Sequence, residues 1–338
     1  MRSHSFVSRH APFGGLCLSL VLTGWLAVTN GCNRPEGGQR IFISVGTAPV
    51  GGAFYTVGSA ISEVVNEHRG DLPWRVSAES TGGSMENIRL LSQGKLQLAM
   101  SNASITYFAV RGAEGWEQPH DVRSVMTLFP NVAMFVTAAD SPIETVADLK
   151  GKRVFLGPEG AGFEYFVEPI LQAHGLSISD LEARYGSQQS AVDLLGDGAI
   201  DAAMVGGGIP NPAITQMAQA QPIRMIPYDD EAKTRLTEEY EFFGPATVPG
   251  GTYAGIEDDY QGLNVGSAHL IAHADVDEQL IYDFTRLTYE QRAGIAERHR
   301  AAASITPENV VRPVGTEFHP GAIRYYREIG IWPESEGS

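Results

Sequence analysis

Cysteine is almost absent from this chain of 338 residues. Cys17 and Cys32 are its two cysteines, and both precede the main body of the sequence. A disulfide framework in that body is therefore excluded, and neither cysteine can serve there as a buried nucleophile. The body of roughly 300 residues must be held by hydrophobic cores, and its length favours two lobes.

Basic residues are scarce relative to acidic ones. The chain has 24 Lys and Arg against 40 Asp and Glu, a formal net charge of -16. The first 31 residues carry Arg2 and Arg9 and no acid, so removing them gives -16 minus 2, or -18. This charge argues against nucleic acid and anionic membrane surfaces as partners. Scattered surface charge is screened beyond about 8 to 10 Å, so local donors in a cleft can still bind an anion.

Long apolar runs are scarce as well. One run, at residues 16–28, follows Arg2 and Arg9 and is too short to span a bilayer comfortably, which is typical of an export signal. No later run approaches membrane-spanning length. We therefore expect residues 1–31 to be a signal peptide and the body to be exported, in a periplasmic or other extracytoplasmic location.

Cys32 stands where a lipid anchor would begin. The pair Gly31-Cys32 is similar to the end of a bacterial lipoprotein signal, in which the cysteine is lipidated and becomes the mature N-terminus. Thr29 and Asn30 depart from the usual residues before it. Two interpretations stay open, lipidation of Cys32 and simple cleavage near it. In either case residues 32–40 are expected to be a short polar tether.

The body starts with three strand-helix units. Alternating apolar residues predict strands, and apolar residues at helical spacing predict helices starting at residues 54 and 85 and near 103. The predicted strands are 41–45, 76–78 and 96–100. Successive units of this kind predict an α/β fold with mostly parallel sheets and helices on their faces. The alternation of predicted strands and helices resumes after residue 142, and glycines follow each new strand.

Two such lobes joined by crossing strands form a clamshell that closes on a ligand by hinge motion. We place one hinge near residues 131–140 and the other between residues 226 and 272. The predicted first lobe comprises residues 41–139 and 241–338, and the predicted second lobe comprises residues 140–240.

Glycines mark both early strand-to-helix junctions. Backbone N–H groups can approach a ligand there without a Cβ in the way, and a helix N-terminus favours an anion. The polar ends of the neighbouring strands add side-chain donors. The ligand-binding residues predicted on the first lobe are Thr47, Gly51, Gly52, Tyr55, Gly83, Ser84, Asn87, Ser101 and Asn102.

The second lobe offers backbone donors in its loop glycines. The predicted ligand-binding residues there are Gly160, Ala161, Gly162, Phe163 and Gly207, with Tyr253 from a Gly-Gly-Thr-Tyr loop. The alternative for the glycines is a set of tight turns with positive φ.

Several of the side chains have structural alternatives. Ser84 can cap its own helix, Asn102 can cap the next one, and Tyr253 can fill a gap at the hinge. Phe54 is assigned inward by helical spacing, which leaves Tyr55 for the cleft. Arg89 lies roughly 140° around the helix from Ser84 and is assigned to the lobe surface.

Six blocks in order resemble the TAXI class of solute-binding receptors of TRAP transporters. Residues 46–55 match the pattern G-T-x-x-x-G-G-x-(aromatic)-Y, and residues 81–91 match T-G-G-S-x-E-N-(apolar)-R-L-L. The other matching blocks are residues 148–158, 198–203, 246–253 and 319–330. The chain departs from the family pattern at Ala48-Pro49-Val50 and at Ala161 and Phe163, where the family often has glycine and hydroxyl residues.

The resemblance implies a type II periplasmic binding protein fold. It implies a small organic anion as ligand, an acidic amino acid, dicarboxylate or related carboxylate, and the fused membrane subunit of a TRAP transporter as partner. A ligand sensor that signals to a membrane partner such as a histidine kinase remains an alternative, because it would use the same clamshell.

Catalysis and metal binding have little support in the sequence. Glycine spacing at residues 46–51 is similar to a phosphate loop, but Gly52-Ala53 stands where Lys-Ser/Thr is needed. G-x-S-x-G and H-E-x-x-H motifs are absent. His269 and His273 would chelate a metal on a helix, yet on a strand they lie roughly 13 Å apart. We predict no enzyme activity, no cofactor and no metal site.

Overall fold

The computed structural model describes residues 40–50, 53–113 and 115–333. The predicted signal peptide, Cys32, the tether up to residue 39, Gly51 and Gly52 lie outside the described residues. Within those three ranges, no helix combines the length and apolar character that a bilayer crossing requires.

Strands and helices alternate through most of the described chain. The strands are β1 Ile41–Gly46, β2 Trp74–Glu79, β3 Leu98–Asn102, β4 Val122–Phe129, β5 Val132–Ala138, β6 Arg153–Phe155, β7 Glu182–Arg184, β8 Ala202–Gly207, β9 Ile223–Ile226, β10 Phe243–Val248, β11 Tyr260–Val265 and β12 Ala268–His273. The helices are α1 Ala53–His68, α2 Ser84–Ser92, α3 Ala103–Arg111, α4 Glu164–Ala173, α5 Gln188–Gly196, α6 Pro212–Ala220, α7 Asp230–Glu239, α8 Glu278–Glu290, α9 Arg292–Arg298, α10 Pro307–Val310 and α11 Pro320–Glu328. The three early strand-helix units lie where the apolar spacing predicts them.

The first sheet has five strands in the order β2-β1-β3-β12-β4. β1 pairs in parallel with both β2 and β3, so that Val45 lies opposite Ala78 and Leu98. β12 enters between β3 and β4 and is antiparallel to both. The three early units thus form the predicted parallel part, and a strand from late in the chain completes the sheet.

The second sheet has seven strands. Six follow the order β10-β11-β5-β8-β6-β7, and β9 also pairs with β5. β6 is parallel to β7 and β8, whereas β5 is antiparallel to β8, β9 and β11. The predicted α/β class is confirmed, and both sheets are mixed because the crossing strands run against the parallel units.

The chain passes between the sheets twice. β4 ends at Phe129 and β5 begins at Val132, while β11 ends at Val265 and β12 begins at Ala268. We call residues 130–131 the first crossing and residues 266–267 the second crossing. The predicted lobe limits remain a prediction, although β5, β10 and β11, which they assign to the first lobe, pair in the second sheet.

Both crossings lie at the strand ends where open α/β sheets bind ligands. β4 is parallel to β1, β2 and β3 by way of β12, so all four end on the side of the first crossing. β11 is parallel to β8 and β6 by way of β5, so these three end on the side of the second crossing. The carboxyl ends of the parallel strands of both sheets therefore meet at one junction, and this is the edge at which such folds place ligands.

The second crossing packs directly on the start of α3. The Asn102 side-chain amide donates to the Gly266 carbonyl at 2.9 Å, and the Ala103 N–H donates to the Ser267 carbonyl at 3.1 Å. Gly266 has φ 108°, and a Cβ on it would overlap the Asn102 side-chain oxygen and lie 2.6 Å from Ser104 N. Glycine is required here both for its φ and for the close approach.

We expect Gly266→Ala to destabilise the protein more than Gly255→Ala. Gly255 has a similar left-handed φ of 77° but open space around its Cβ position, so it controls for backbone strain. Overpacking and loss of the α3 cap should add about 2 kcal/mol or more at Gly266. Urea unfolding of both variants measures the difference, and equal losses would contradict this account of the second crossing.

Candidate functional site

Thr47 directly follows β1 and is buried. Its hydroxyl donates to the Glu79 carbonyl at 2.7 Å, which joins the ends of β1 and β2. On the following helix Phe54 packs edge-on against Phe129 with ring centroids 6.0 Å apart, in line with its predicted inward position. Tyr55 and Phe54 are both half-buried, so burial does not distinguish the two residues. Of this predicted group, Gly51 and Gly52 are not among the described residues.

Gly83, and not Ser84, is the N-cap of α2. Gly83 has φ 104° and supplies no side-chain hydrogen bond to the helix. Ser84 is the first helical residue, and its Oγ accepts from the Asn102 N–H at 3.0 Å. The capping alternative for Ser84 is therefore wrong, because its hydroxyl is turned to the end of β3. Gly83 offers no side chain to the N–H groups in the first turn of α2, and such groups favour an anion. One carboxylate already lies in this turn, since Glu86 Oε2 accepts from the Gly82 N–H at 2.5 Å.

Asn87 is fully buried and bridges two strand ends. Its amide nitrogen donates to the Thr47 carbonyl at 2.7 Å and to the Met100 carbonyl at 2.8 Å. Its Oδ1 lies against Gly46 and has no hydrogen-bond partner. Both amide hydrogens are thus already used within the protein.

The polar side chains at the end of β3 also form hydrogen bonds within the protein. Asn102 caps α3, since its Oδ1 accepts from Ser104 N at 2.8 Å and from Ser104 Oγ at 2.6 Å. This is the structural alternative given for Asn102. Ser101 Oγ lies 2.8 Å from Thr106 Oγ1, and all four of these polar side chains are buried.

His269 extends this polar network into the first sheet. It is fully buried on β12, with Nε2 2.8 Å from Thr106 Oγ1 and Nδ1 3.4 Å from Ser124 Oγ. His273 ends the same strand and faces Asp275. Across the residues that the structure describes, no group of three or more His, Cys, Asp or Glu side chains could hold a metal ion.

The loop at residues 160–163, which follows β6 of the second sheet, forms a turn against α3. The Ala161 N–H donates to the Pro158 carbonyl at 3.2 Å, and Gly160 has φ 71°. A Cβ on Gly162 would lie 2.5 Å from Cδ1 of Ile105 in α3. Phe163 precedes α4 and packs on Phe166. These glycines form tight turns, which is the structural alternative given for them. Their contact with a ligand remains a prediction.

Gly207 and Tyr253 meet at the start of α6. Asn211 caps α6, and a Cβ on Gly207 would lie 3.0 Å from the Asn211 side-chain nitrogen. The Tyr253 hydroxyl accepts from the Asn211 N–H at 2.8 Å, and Tyr253 is 2% exposed. Burial raises the pKa of this hydroxyl. Tyr253 therefore fills a gap, which was one of its two predicted roles.

A polar cluster at the crossings was not predicted. Asn264 Oδ1 accepts from the Asn131 N–H at 3.0 Å, and its Nδ2 donates to Ser267 Oγ at 2.9 Å. The Arg312 guanidinium donates to the same Ser267 hydroxyl. The signal available in the sequence was Asn264 itself, a polar residue between the apolar Leu263 and Val265 of a strand.

Two cavities lie away from the junction. One of about 190 Å³, lined by Lys152, Arg153 and Asp201 among others, opens where β6 begins, at the opposite end of the second sheet. The other, of about 280 Å³, lies between α4 and α7 beside Arg235. Neither coincides with the predicted site.

Residues 45–330 match the NMT1-like family, and the chain belongs to that family. A binding protein component of a phosphonate ABC transporter from Pseudomonas aeruginosa has a similar structure, with TM-score 0.53, 9% identity and coverage of 78% of this chain and 79% of that one. A sulfonate-binding protein from Methylobacillus flagellatus follows at TM-score 0.49 and 11% identity, covering 88% and 98%. An aliphatic sulphonate binding protein from Escherichia coli has TM-score 0.47 and 16% identity, covering 79% and 83%.

The similarity to the Pseudomonas structure shows that the two chains share a fold. The match to the NMT1-like family covers most of the body of the chain. The description of that family names neither TAXI receptors nor TRAP transporters. That narrower resemblance therefore remains a prediction.

We expect His269 to make the protein less stable as the pH falls. Burial lowers its pKa from 6.5 to about 3, so below pH 6.5 the unfolded chain binds a proton that the folded protein excludes. The stabilisation is complete above pH 6.5 and is lost toward pH 3, at up to about 1.4 kcal/mol per pH unit. Urea unfolding at pH 7, 6, 5 and 4 should show a steeper loss for wild type than for His269→Gln. Parallel pH profiles would rule the effect out.

Proposed function

We propose that this protein is an extracytoplasmic receptor that captures a small organic anion between two lobes and delivers it to a TRAP-type membrane transporter. The ligand class is an acidic amino acid, a dicarboxylate or a related carboxylate. The observation that carries the proposal is the junction at which the carboxyl ends of the parallel strands of both sheets meet, beside the first turn of α2, whose N-cap Gly83 has no side chain. Binding without catalysis is part of the proposal.

The energetics support backbone recognition of an anion. A hydrogen bond to a charged group contributes about 1.5 to 3 kcal/mol, and a helix N-terminus adds up to about 2 kcal/mol in a partly buried geometry. Four or five such donors can reach the roughly 8 kcal/mol of micromolar binding after the costs of closure and desolvation. Asn87 donates both of its amide hydrogens within the protein, Asn102 donates one, and Ser84 Oγ accepts from the Asn102 N–H, so much of the weight falls on backbone N–H groups.

The location and the partner rest on the sequence. The leader predicts export, and lipidation of Cys32 would add a membrane anchor that intact-mass analysis detects. The TRAP partner comes from the TAXI resemblance. Since the Pseudomonas structure is named as a component of a phosphonate ABC transporter, phosphonates belong in the ligand test beside carboxylates.

We expect a carboxylate to raise the melting temperature of the mature protein. The screen contains L-glutamate, succinate, 2-oxoglutarate and propionate, with methylphosphonate as the competing anion and glucose as the neutral control. A ligand at 100 times its Kd stabilises the folded state by about 2.7 kcal/mol, which thermal shift resolves and calorimetry then converts to a Kd. Stabilisation by neutral sugars or cations alone would refute the anion proposal.

We expect Ser84→Pro to bind the selected anion at least about tenfold more weakly than Ser84→Ala. Both variants lose the Oγ that accepts from Asn102, so both lose stability. Proline additionally removes the first N–H of α2, at a helix position that tolerates its fixed φ. The difference in Kd between the two variants, measured by calorimetry, gives the contribution of that N–H group. Equal affinities would remove the N-terminus of α2 from the site.

A further inference from the structure

The backbone and the side chain of Arg312 both form hydrogen bonds at the sheet junction. Its carbonyl accepts from Thr127 Oγ1 at 3.0 Å, which fixes its backbone to β4. Its guanidinium reaches the second crossing, where it donates to the hydroxyl of the buried Ser267. The residue itself is half-buried. A fixed positive charge therefore stands beside the segment that joins the two sheets.

This guanidinium has no counter-charge among the described residues. Six of the 17 described arginines form ion pairs with carboxylates within 4.0 Å, and these are Arg123, Arg153, Arg184, Arg286, Arg298 and Arg324. Around Arg312 burial alone acts, and it lowers the pKa of the guanidinium. A charge withdrawn from water without a partner is costly, so such a group is normally paired.

The neutral neighbours of Arg312 leave most of its donors unused. A guanidinium has five N–H groups, and within the described chain its hydrogen-bonded side-chain partner is Ser267 Oγ. That oxygen also accepts from Asn264, whose own oxygen is taken by the Asn131 N–H. The cluster thus orients the guanidinium and supplies no negative charge.

We infer that Arg312 receives a carboxylate of the captured solute and determines the preference of the receptor for anions. The inference rests on the proposed receptor function and names the residue that selects its ligand class. The planar fork of arginine matches two carboxylate oxygens and gives shorter, stronger hydrogen bonds than a neutral donor. Its attachment to β4 and to the second crossing places this contact where both sheets meet.

Four variants test the inference by calorimetry with succinate, L-glutamate and the monoamide succinamate. Arg312→Gln should weaken binding of the tighter dianionic or acidic ligand about 10- to 100-fold, and Arg312→Lys should lose less because it keeps the charge. Arg300→Gln removes an exposed arginine just after α9 and should stay within about twofold of wild type. Ser267→Ala removes the hydroxyl that orients Arg312 but keeps the charge, so it should cost less than Arg312→Gln. The preference of wild type for succinate over succinamate should shrink in Arg312→Gln.

The outcomes separate the two proposals. If wild type binds an acid and Arg312→Gln binds it equally well, the inference is overturned and the receptor function stands. If Ser267→Ala and Arg312→Gln lose equal affinity with unchanged preference for succinate, Arg312 acts only on the crossing and the inference again fails. If wild type binds none of the acids in calorimetry or in the wider screen, the proposed function fails and the inference fails with it.

Discussion

The hydrogen bonds between the second crossing and the start of α3 are the interaction on which the remaining geometry depends. Gly266 and Ser267 accept from the side chain of Asn102 and the backbone of Ala103 within one turn of the chain. These hydrogen bonds fix the second crossing, where the chain re-enters the first sheet, against the end of β3. Because β12 must follow at once between β3 and β4, the crossing also sets which strand ends face the second sheet.

The polar side chains that line this edge of the first sheet form hydrogen bonds within the protein. Ser84, Asn87 and Asn102 each satisfy a backbone group at a neighbouring strand end, in surroundings where an unpaired donor or acceptor would be costly. A side chain engaged in this way positions the edge of the sheet, and a solute is left with backbone N–H groups and the guanidinium of Arg312. Glycine at the cap of α2 fits this division, because it makes no side-chain hydrogen bond to the first turn of the helix.

The parts of the fold that local sequence controls could be predicted. Alternation and helical spacing locate β1, α1, β2, α2 and β3, since each pattern lies within one element. The antiparallel position of β12 could not be predicted, because it pairs Ala268 with Asn102 across 268 minus 102, or 166, residues. The partners of Ser84 and Asn87 also depend on tertiary packing, because they lie on β3 and just after β1. Residue type therefore indicated a polar edge, and tertiary contacts decided what each side chain does there.

Arg312 illustrates why net charge is a poor guide to such a site. The chain carries -16 overall, yet exposed acids act through water and salt, which screen them within about 10 Å. A half-buried guanidinium acts over a few ångströms in surroundings of lower polarity, where Coulomb attraction is several times stronger. Its neighbours Ser267 and Asn264 are neutral, so the local field stays positive. An acidic protein can thus present a cationic contact, provided that the contact is desolvated and its own carboxylates are kept away.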